Sequence, residues 1–141
     1  MAWLFSLSVE CGDSATGAAA LGQDLASRVE AQTHQRTFRD DTGSHWVSLF
    51  FDDIDVEDDE AVDALARRLQ LLLADTSLPF RFGLAGVEVD EARTWNELVD
   101  DINENSLLEG VILSRSHWEQ LGKPAQFIPL GRHVMSSRNT A

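Results

Sequence analysis

Carboxylates are the side chains in this sequence best placed to do chemistry, and they are concentrated in one run. The segment 52–60, DDIDVEDDE, carries seven acidic residues in nine positions directly after the apolar stretch VSLFF. Clustered carboxylate oxygens can bind Ca²⁺ or Mg²⁺, but this run has no glycine turn and its second half is expected to be helical. Three interpretations stay open: a metal site, a solvated helix start, and a surface for a positively charged partner.

A second acidic group lies between residues 97 and 104. Glu97, Asp101 and Glu104 recur at intervals of four and three, with Asp100 adjacent. On a helix this spacing places the carboxylates on one face, where like charges weaken the helix by roughly 0.2–0.5 kcal/mol per pair. A cationic partner would relieve that repulsion, although a solubilising surface explains the pattern as well. The residues predicted to bind a partner are Asp52, Asp53, Asp55, Asp58, Asp59, Glu60, Glu97, Asp100, Asp101 and Glu104.

The remaining reactive side chains show no catalytic or metal-binding pattern. The four histidines lack metal-ligand spacing, and no phosphate-binding glycine motif or serine-nucleophile elbow occurs. His45 and His117 could serve as catalytic bases, but their positions are more typical of a strand start and a helix start. Cys11 ends an apolar strand and is expected to be a small, buried or half-buried side chain. We therefore expect no catalytic residue, no cofactor and no metal.

The charge is distributed unevenly along the chain. The formal net charge is −13, and residues 52–109 alone hold seventeen acidic and four basic residues. Residues 110–141 instead hold one acidic and four basic residues, and this basic segment could pack against the acidic middle. Nucleic acids and anionic membranes require a basic footprint, so both are disfavoured as partners. Complementary fields favour a basic protein partner.

Several features indicate a bacterial protein of the reducing cytoplasm. The single cysteine cannot form an internal disulfide bond. No apolar stretch approaches the roughly 18 residues of a membrane helix, and no basic region precedes the first apolar segment, as a signal peptide would require. The basic residues are almost all arginine, with one lysine, and tyrosine is absent.

The acidic segments DDIDVEDDE at 52–60 and ELVDDINENSLLE at 97–109, in a small cysteine-poor chain without catalytic motifs, give it a resemblance to the immunity proteins of bacterial toxin systems. Such proteins bind a cognate toxin, often a basic nuclease, and block its active site with carboxylates. The resemblance implies a non-enzymatic inhibitor of a basic, secreted toxin. Two alternatives stay open: a structural or homo-oligomeric accessory module, and a small enzyme with an unrecognised carboxylate or histidine site. The oligomeric state is left undetermined.

The elements that must position these residues alternate between strands and helices. Period-two patterning predicts a half-buried strand over 3–10, and bulk on both faces places a strand at 45–51 inside a sheet. Helical spacing predicts a helix ending near His34 and a second helix that begins at Asp55 as its N-cap. The second helix should pack against the core through an apolar stripe formed by Val62, Leu65, Leu69 and Leu72.

The second half of the chain continues the pattern. Gly83 and Gly86 mark a strand with a bulge or a close backbone approach. Capping boxes are predicted at Thr94–Glu97 and at Ser116–Glu119, and Pro129 indicates that the last extended segment, 127–135, is an edge strand or a loop. The predicted fold is α+β, or α/β, with a single mixed, partly antiparallel sheet of about five strands packed by three to four helices. Residues 1–135 should form one globular domain, and 136–141 a flexible C-terminal tail.

Overall fold

In the computed structural model, residues 5–29, 33–87, 94–107 and 110–137 are described. These ranges hold four helices on one sheet of seven strands, in the order β2-β3-β1-β4-β5-β7-β6. Neighbouring strands are all antiparallel. The elements are β1 (Phe5–Glu10), α1 (Ala15–Arg28), β2 (Thr33–Arg39), β3 (His45–Phe51), α2 (Asp59–Asp75), β4 (Phe82–Val87), α3 (Trp95–Asn103), β5 (Ile112–Ser114), α4 (Arg115–Gln120), β6 (Phe127–Pro129) and β7 (Val134–Ser137).

The predicted α+β class is confirmed, whereas the count of about five strands and the mixed sheet are wrong. Strands β5 and β6 have three residues each and β7 has four. Runs this short do not display an alternating pattern, so from sequence the stretch 127–135 (FIPLGRHVM) is predicted to be a single extended segment. The two strands form an antiparallel hairpin instead. Strand β6 is the edge of the sheet, as Pro129 predicted.

Strand β1 lies at the centre of the sheet and is buried on both faces. It pairs with β3 on one side and with β4 on the other, and all six of its residues are buried. The prediction of a half-buried strand was therefore wrong, because the polar face is covered too. That face carries Ser8, whose hydroxyl lies 2.7 Å from the Ser48 hydroxyl, and Glu10, which is paired internally. Trp3 and Leu4, at the start of the predicted strand, lie outside the described residues.

Two layers of helices cover the sheet and form two apolar clusters. One face packs α1 and α2, through residues such as Leu21, Leu25, Leu69 and Leu73, against Phe5 and its neighbours. The other cluster joins Leu98 and Ile102 of α3 to strand side chains. Adjacent residues such as Trp46 and Val47 belong to different clusters, because successive strand residues point to opposite faces. The predicted stripe on α2 is confirmed in part: Leu69 and Leu73 are buried, with Val62, Leu65 and Leu72 half-buried beside them.

Several predicted boundaries of helices are displaced. Helix α1 ends at Arg28, so His34 lies in β2. The N-cap of α2 is Asp58, and Ser114 rather than Ser116 caps α4. Each correct cap lies within three residues of another good capping residue, so local preference could not select between them. The Thr94–Glu97 capping box is confirmed.

Close packing of the backbone accounts for the glycine at position 83. A Cβ on Gly83 would lie 3.0 Å from the Ser8 carbonyl oxygen and 3.2 Å from Leu73 Cδ2, which confirms a close backbone approach.

Ser136 and Ser137 are buried in β7, so the predicted tail from residue 136 begins too early. Residues 138–141 lie outside the described residues. Among the helices of the described ranges, none has the length and apolar character needed to cross a membrane.

Two leucines of α2 allow a matched test of this packing. Leu73 is fully buried and Leu71 is 51 % exposed. We expect Leu73→Ala to lower the free energy of unfolding by about 2–5 kcal/mol, because it leaves a cavity in the core. Leu71→Ala should change it by no more than about 0.5 kcal/mol. Urea denaturation followed by circular dichroism measures both, and equal effects would contradict the assigned face of α2.

Candidate functional site

The acidic run joins the end of β3 to the first turn of α2. All seven of its carboxylate residues are exposed, whereas Ile54 and Val56 are half-buried and pack against the core cluster. The two apolar side chains therefore anchor the segment and turn its carboxylates outward. We name residues 52–60 the acidic loop.

Three aspartates of the acidic loop have local bonding partners. Asp55 Oδ1 accepts a hydrogen bond from the Glu57 backbone N–H at 3.0 Å, and Asp58 Oδ1 accepts one from Ala61 at 3.2 Å. Asp52 forms an ion pair with His34 of β2. These bonds hold the loop and the start of α2 in place. Asp53, Glu57 and Glu60 are exposed and are free of these roles.

The second acidic group is divided by the structure. Asp101 is only 7 % exposed and lies on the buried side of α3 with Leu98 and Ile102, so its expected place on the outer face was wrong. Asp101 lies three positions after the buried Leu98, and residues three apart are neighbours on a helix surface. The Ser106 backbone N–H also donates to the Asp101 carbonyl at 2.9 Å. Glu97 completes the capping box with Thr94.

Asp100, Glu104 and Glu97 are the exposed carboxylates of this second group, and the Glu97 side chain is held by the capping box. Along the described ranges, the acidic loop included, no group of three or more histidine, cysteine, aspartate or glutamate side chains is arranged to hold a metal ion. The described ion pairs join Arg28 to Asp24 and Asp75, His34 to Asp52, and Arg81 to Glu10. None of them involves a basic residue of 110–137, so the predicted packing of the basic segment on the acidic middle gains no support from salt bridges.

A buried ion pair lies at the opposite end of β1. Glu10 is fully buried, and its Oε1 accepts hydrogen bonds from Arg81 Nε at 2.7 Å and from the Gly12 backbone N–H at 2.6 Å. Arg81 Nη2 donates to Glu10 Oε2 and to the Ser44 hydroxyl, the latter at 3.2 Å. The planar guanidinium thus binds both carboxylate oxygens, which is the strong geometry for such a pair.

Arg81 also organises aromatic residues from the other helical layer. Its guanidinium carbon lies 4.6 Å from the centroid of the Trp95 ring, within the range of a cation–π interaction. The His117 ring packs edge-on against Trp95, with centroids 5.6 Å apart. Arg81 therefore connects the central strand to α3 and α4.

Two open grooves meet at His117. One, of about 610 Å³, runs between the β1–α1 turn and Arg81; the other, of about 380 Å³, runs along the start of α4. Pro79, Phe80 and His117 line both grooves. Burial, and then the nearby charge of Arg81, lower the pKa of His117 below its usual 6.5, against a smaller opposing effect of Glu10. His117 is therefore neutral at neutral pH.

The two nucleophile types beside these grooves differ in reactivity. Burial, reinforced by the Glu10 carboxylate, raises the pKa of the Cys11 thiol to about 12, so the thiolate needed for nucleophilic attack is scarce at neutral pH. Cys11 is half-buried, as predicted. The Ser114 hydroxyl is hydrogen-bonded to His117 Nδ1, a pairing that general-base catalysis uses. The same hydroxyl accepts the His117 backbone N–H at 3.3 Å, which is the bond of an N-cap.

Glu10 and Arg81 were not identified as a pair from the sequence. Seventy-one positions separate them, and each follows an ordinary pattern for a strand terminus. The one available signal was a glutamate that continues the small-polar face of an otherwise apolar strand, which indicates a polar contact inside the fold. His117 was singled out as a conceivable catalytic base, with a helix-start residue as the favoured interpretation.

Comparison of the chain with protein-family models, with curated proteins and with solved structures found no match.

The buried ion pair predicts a large effect of removing the cation alone. Arg81→Met should lower the free energy of unfolding by about 3–5 kcal/mol, because it leaves the Glu10 carboxylate buried without its partner. Arg28→Met is the matched control, since Arg28 pairs with Asp24 and Asp75 at the surface and should contribute at most about 1 kcal/mol. Urea denaturation at neutral pH measures both. Similar losses in the two variants would contradict the role given to Arg81.

The lowered pKa of His117 predicts a pH dependence of stability. Because the unfolded chain binds a proton at this position near pH 6.5 and the folded chain binds it only at lower pH, this contribution to stability is complete above pH 6.5. It declines as the pH falls from 6.5 towards the folded-state pKa. We expect His117→Gln to reduce the difference in unfolding free energy between pH 7.5 and pH 5. An NMR titration of the wild-type ring should give a midpoint below 6.5, and a midpoint above that value would contradict the prediction.

Proposed function

We propose that this protein is a non-enzymatic inhibitor that binds a basic protein partner through the acidic loop, in the manner of a bacterial immunity protein. The observation that carries the proposal is the fixed, outward presentation of seven exposed acidic residues by the half-buried Ile54 and Val56. Pre-positioned groups lose less conformational entropy on binding than mobile ones do. Asp100 and Glu104 supply a smaller second contact.

Electrostatics supports this choice of partner. The formal net charge of −13 repels itself and attracts a cationic surface. Among the described residues, the one basic side chain that pairs with the acidic loop is His34, through Asp52. A basic toxin would be steered to the loop and its active site then covered. Because steering acts through unscreened charge, the association rate should fall as salt is added.

The test begins with affinity capture from native-host lysate at low and then moderate salt, with the retained proteins identified by mass spectrometry. The proposal expects one basic protein at near-stoichiometric amount, whose activity the purified chain inhibits. Retention of the chain's own copies alone, together with a mass that rises with concentration in light scattering, would favour the homo-oligomeric accessory module instead. A captured basic protein that keeps its full activity in the complex would contradict inhibition.

Charge reversal then tests the surface. Asp53→Lys combined with Glu57→Lys alters two exposed carboxylates that do not hold the loop, so the fold should be retained. We expect the association rate with the captured partner to fall by about tenfold or more at low salt, because steering by charge changes rates over one to three orders of magnitude. The matched control, Asp13→Lys with Glu119→Lys, makes the same change of charge at exposed positions outside the loop. Equal effects of the two variants would mean that net charge, and not the acidic loop, guides binding.

A further inference from the structure

The two edges of the sheet differ in a way that points to a second binding surface. The β6 edge has three residues and contains Pro129, so it offers little to an added strand. The β2 edge has seven residues, and within the described ranges no strand lies beyond it. Its register with β3 is regular from Thr33 to Arg39, without a bulge. Strand β2 therefore presents a straight row of backbone N–H and C=O groups outside β3.

The side chains of β2 are also unlike the rest of the surface. Five of its seven residues are exposed, and the charged ones are the arginines Arg36 and Arg39. His34 is paired with Asp52, but neither arginine forms an ion pair with a described residue. The Arg36 guanidinium lies over the Phe38 ring, 5.4 Å from its centroid. Among the described residues, these two arginines have no carboxylate partner, in a chain that has 24 acidic residues and 11 Lys and Arg residues.

The acidic residue that directly follows β2 is committed to the β2–β3 turn, and Asp41 after it is exposed. Asp40, directly after β2, accepts hydrogen bonds from Thr42, Ser44 and the Trp46 indole N–H. Burial alone would raise its pKa, but these hydrogen bonds outweigh it and lower the pKa. Asp40 is thereby held as the carboxylate that closes the β2–β3 turn, and it does not neutralise the arginines of β2.

We infer that β2 is a docking edge for an extended acidic segment of a partner protein, which adds as an eighth strand. Main-chain hydrogen bonds would supply affinity and the arginines would select the segment. Arg36 and Arg39 are three positions apart and so lie on opposite faces of the sheet. The fitting segment therefore has carboxylates three positions apart, because opposite charges across neighbouring strands stabilise the pair and like charges destabilise it.

A second copy of this chain fits the edge less well. Two β2 strands paired symmetrically about Arg36 would place like charges opposite each other, and each copy brings a net charge of −13. The long-range repulsion of an acidic segment by the protein as a whole is screened beyond about 8 Å at physiological salt. The contacts with Arg36 and Arg39 lie inside that distance. The inference concerns a surface other than the acidic loop and does not depend on the proposed function.

The test uses two synthetic peptides with blocked ends, each of nine residues rich in threonine and valine. One carries two glutamates three positions apart, and the other carries lysines at the same places. We expect the glutamate peptide to bind and to slow hydrogen exchange of the β2 amides, measured by NMR. The lysine peptide should bind at least about tenfold more weakly to β2, the ratio expected from reversing two cross-strand charge pairs.

Charge-reversed variants make the outcome decisive. Arg36→Glu with Arg39→Glu should reverse the preference between the peptides, while Arg67→Glu with Arg68→Glu, two exposed arginines of α2, should leave it unchanged. Circular dichroism checks that both variants fold. The inference fails if neither peptide protects β2, if the two variants respond alike, or if the wild type prefers the lysine peptide. Protection of β2 that rises with protein concentration in the absence of peptide would assign the edge to a second copy and also overturn it.

Discussion

The ion pair between Glu10 and Arg81 is the interaction on which the arrangement of this fold depends. A fully buried carboxylate at the end of the central strand is unfavourable unless its lone pairs are satisfied. Arg81 and the Gly12 backbone N–H satisfy them. The same guanidinium lies against Trp95, so the contact that neutralises Glu10 also seats α3 on the sheet. One polar contact thereby ties β1, the start of β4 and the second helical layer together.

This pair and the acidic loop lie at opposite ends of the central strands. Glu10 pairs in register with Trp46 at the start of β3, whereas the loop follows Phe51, which pairs with Phe5. Six residues of strand span about 17–20 Å, which is more than twice the screening length of about 8 Å in physiological salt. The charges of the loop therefore act on solvent and partners and contribute little to the energetics of the buried pair. The stability of the fold and the charge of its surface can be altered separately.

The acidic loop and the β2 edge are neighbours through the His34–Asp52 ion pair, yet they present opposite charges. The loop offers carboxylates from an irregular segment, and the edge offers a regular backbone with two arginines. These differences suit different partner chemistries: a folded basic surface for the first and an extended acidic segment for the second. The grooves at His117 stand apart from both, since they lie near the Glu10–Arg81 end of the sheet.

By itself the sequence determined the α+β class, the interior position of β3, the capping box of α3 and the exposure of the acidic loop. These features follow from local periodicity and from the low probability of burying many like charges. It did not determine that β1 is buried on both faces, that Asp101 points inward, that Asp58 rather than Asp55 caps α2, or that β6 and β7 are separate strands. Each of these depends on what packs against the residue from a distant part of the chain. From the sequence pattern alone, polar side chains such as Ser8 and Glu10 are expected to face solvent. In the fold they are paired with Ser48 and Arg81, and only the tertiary structure supplies those partners.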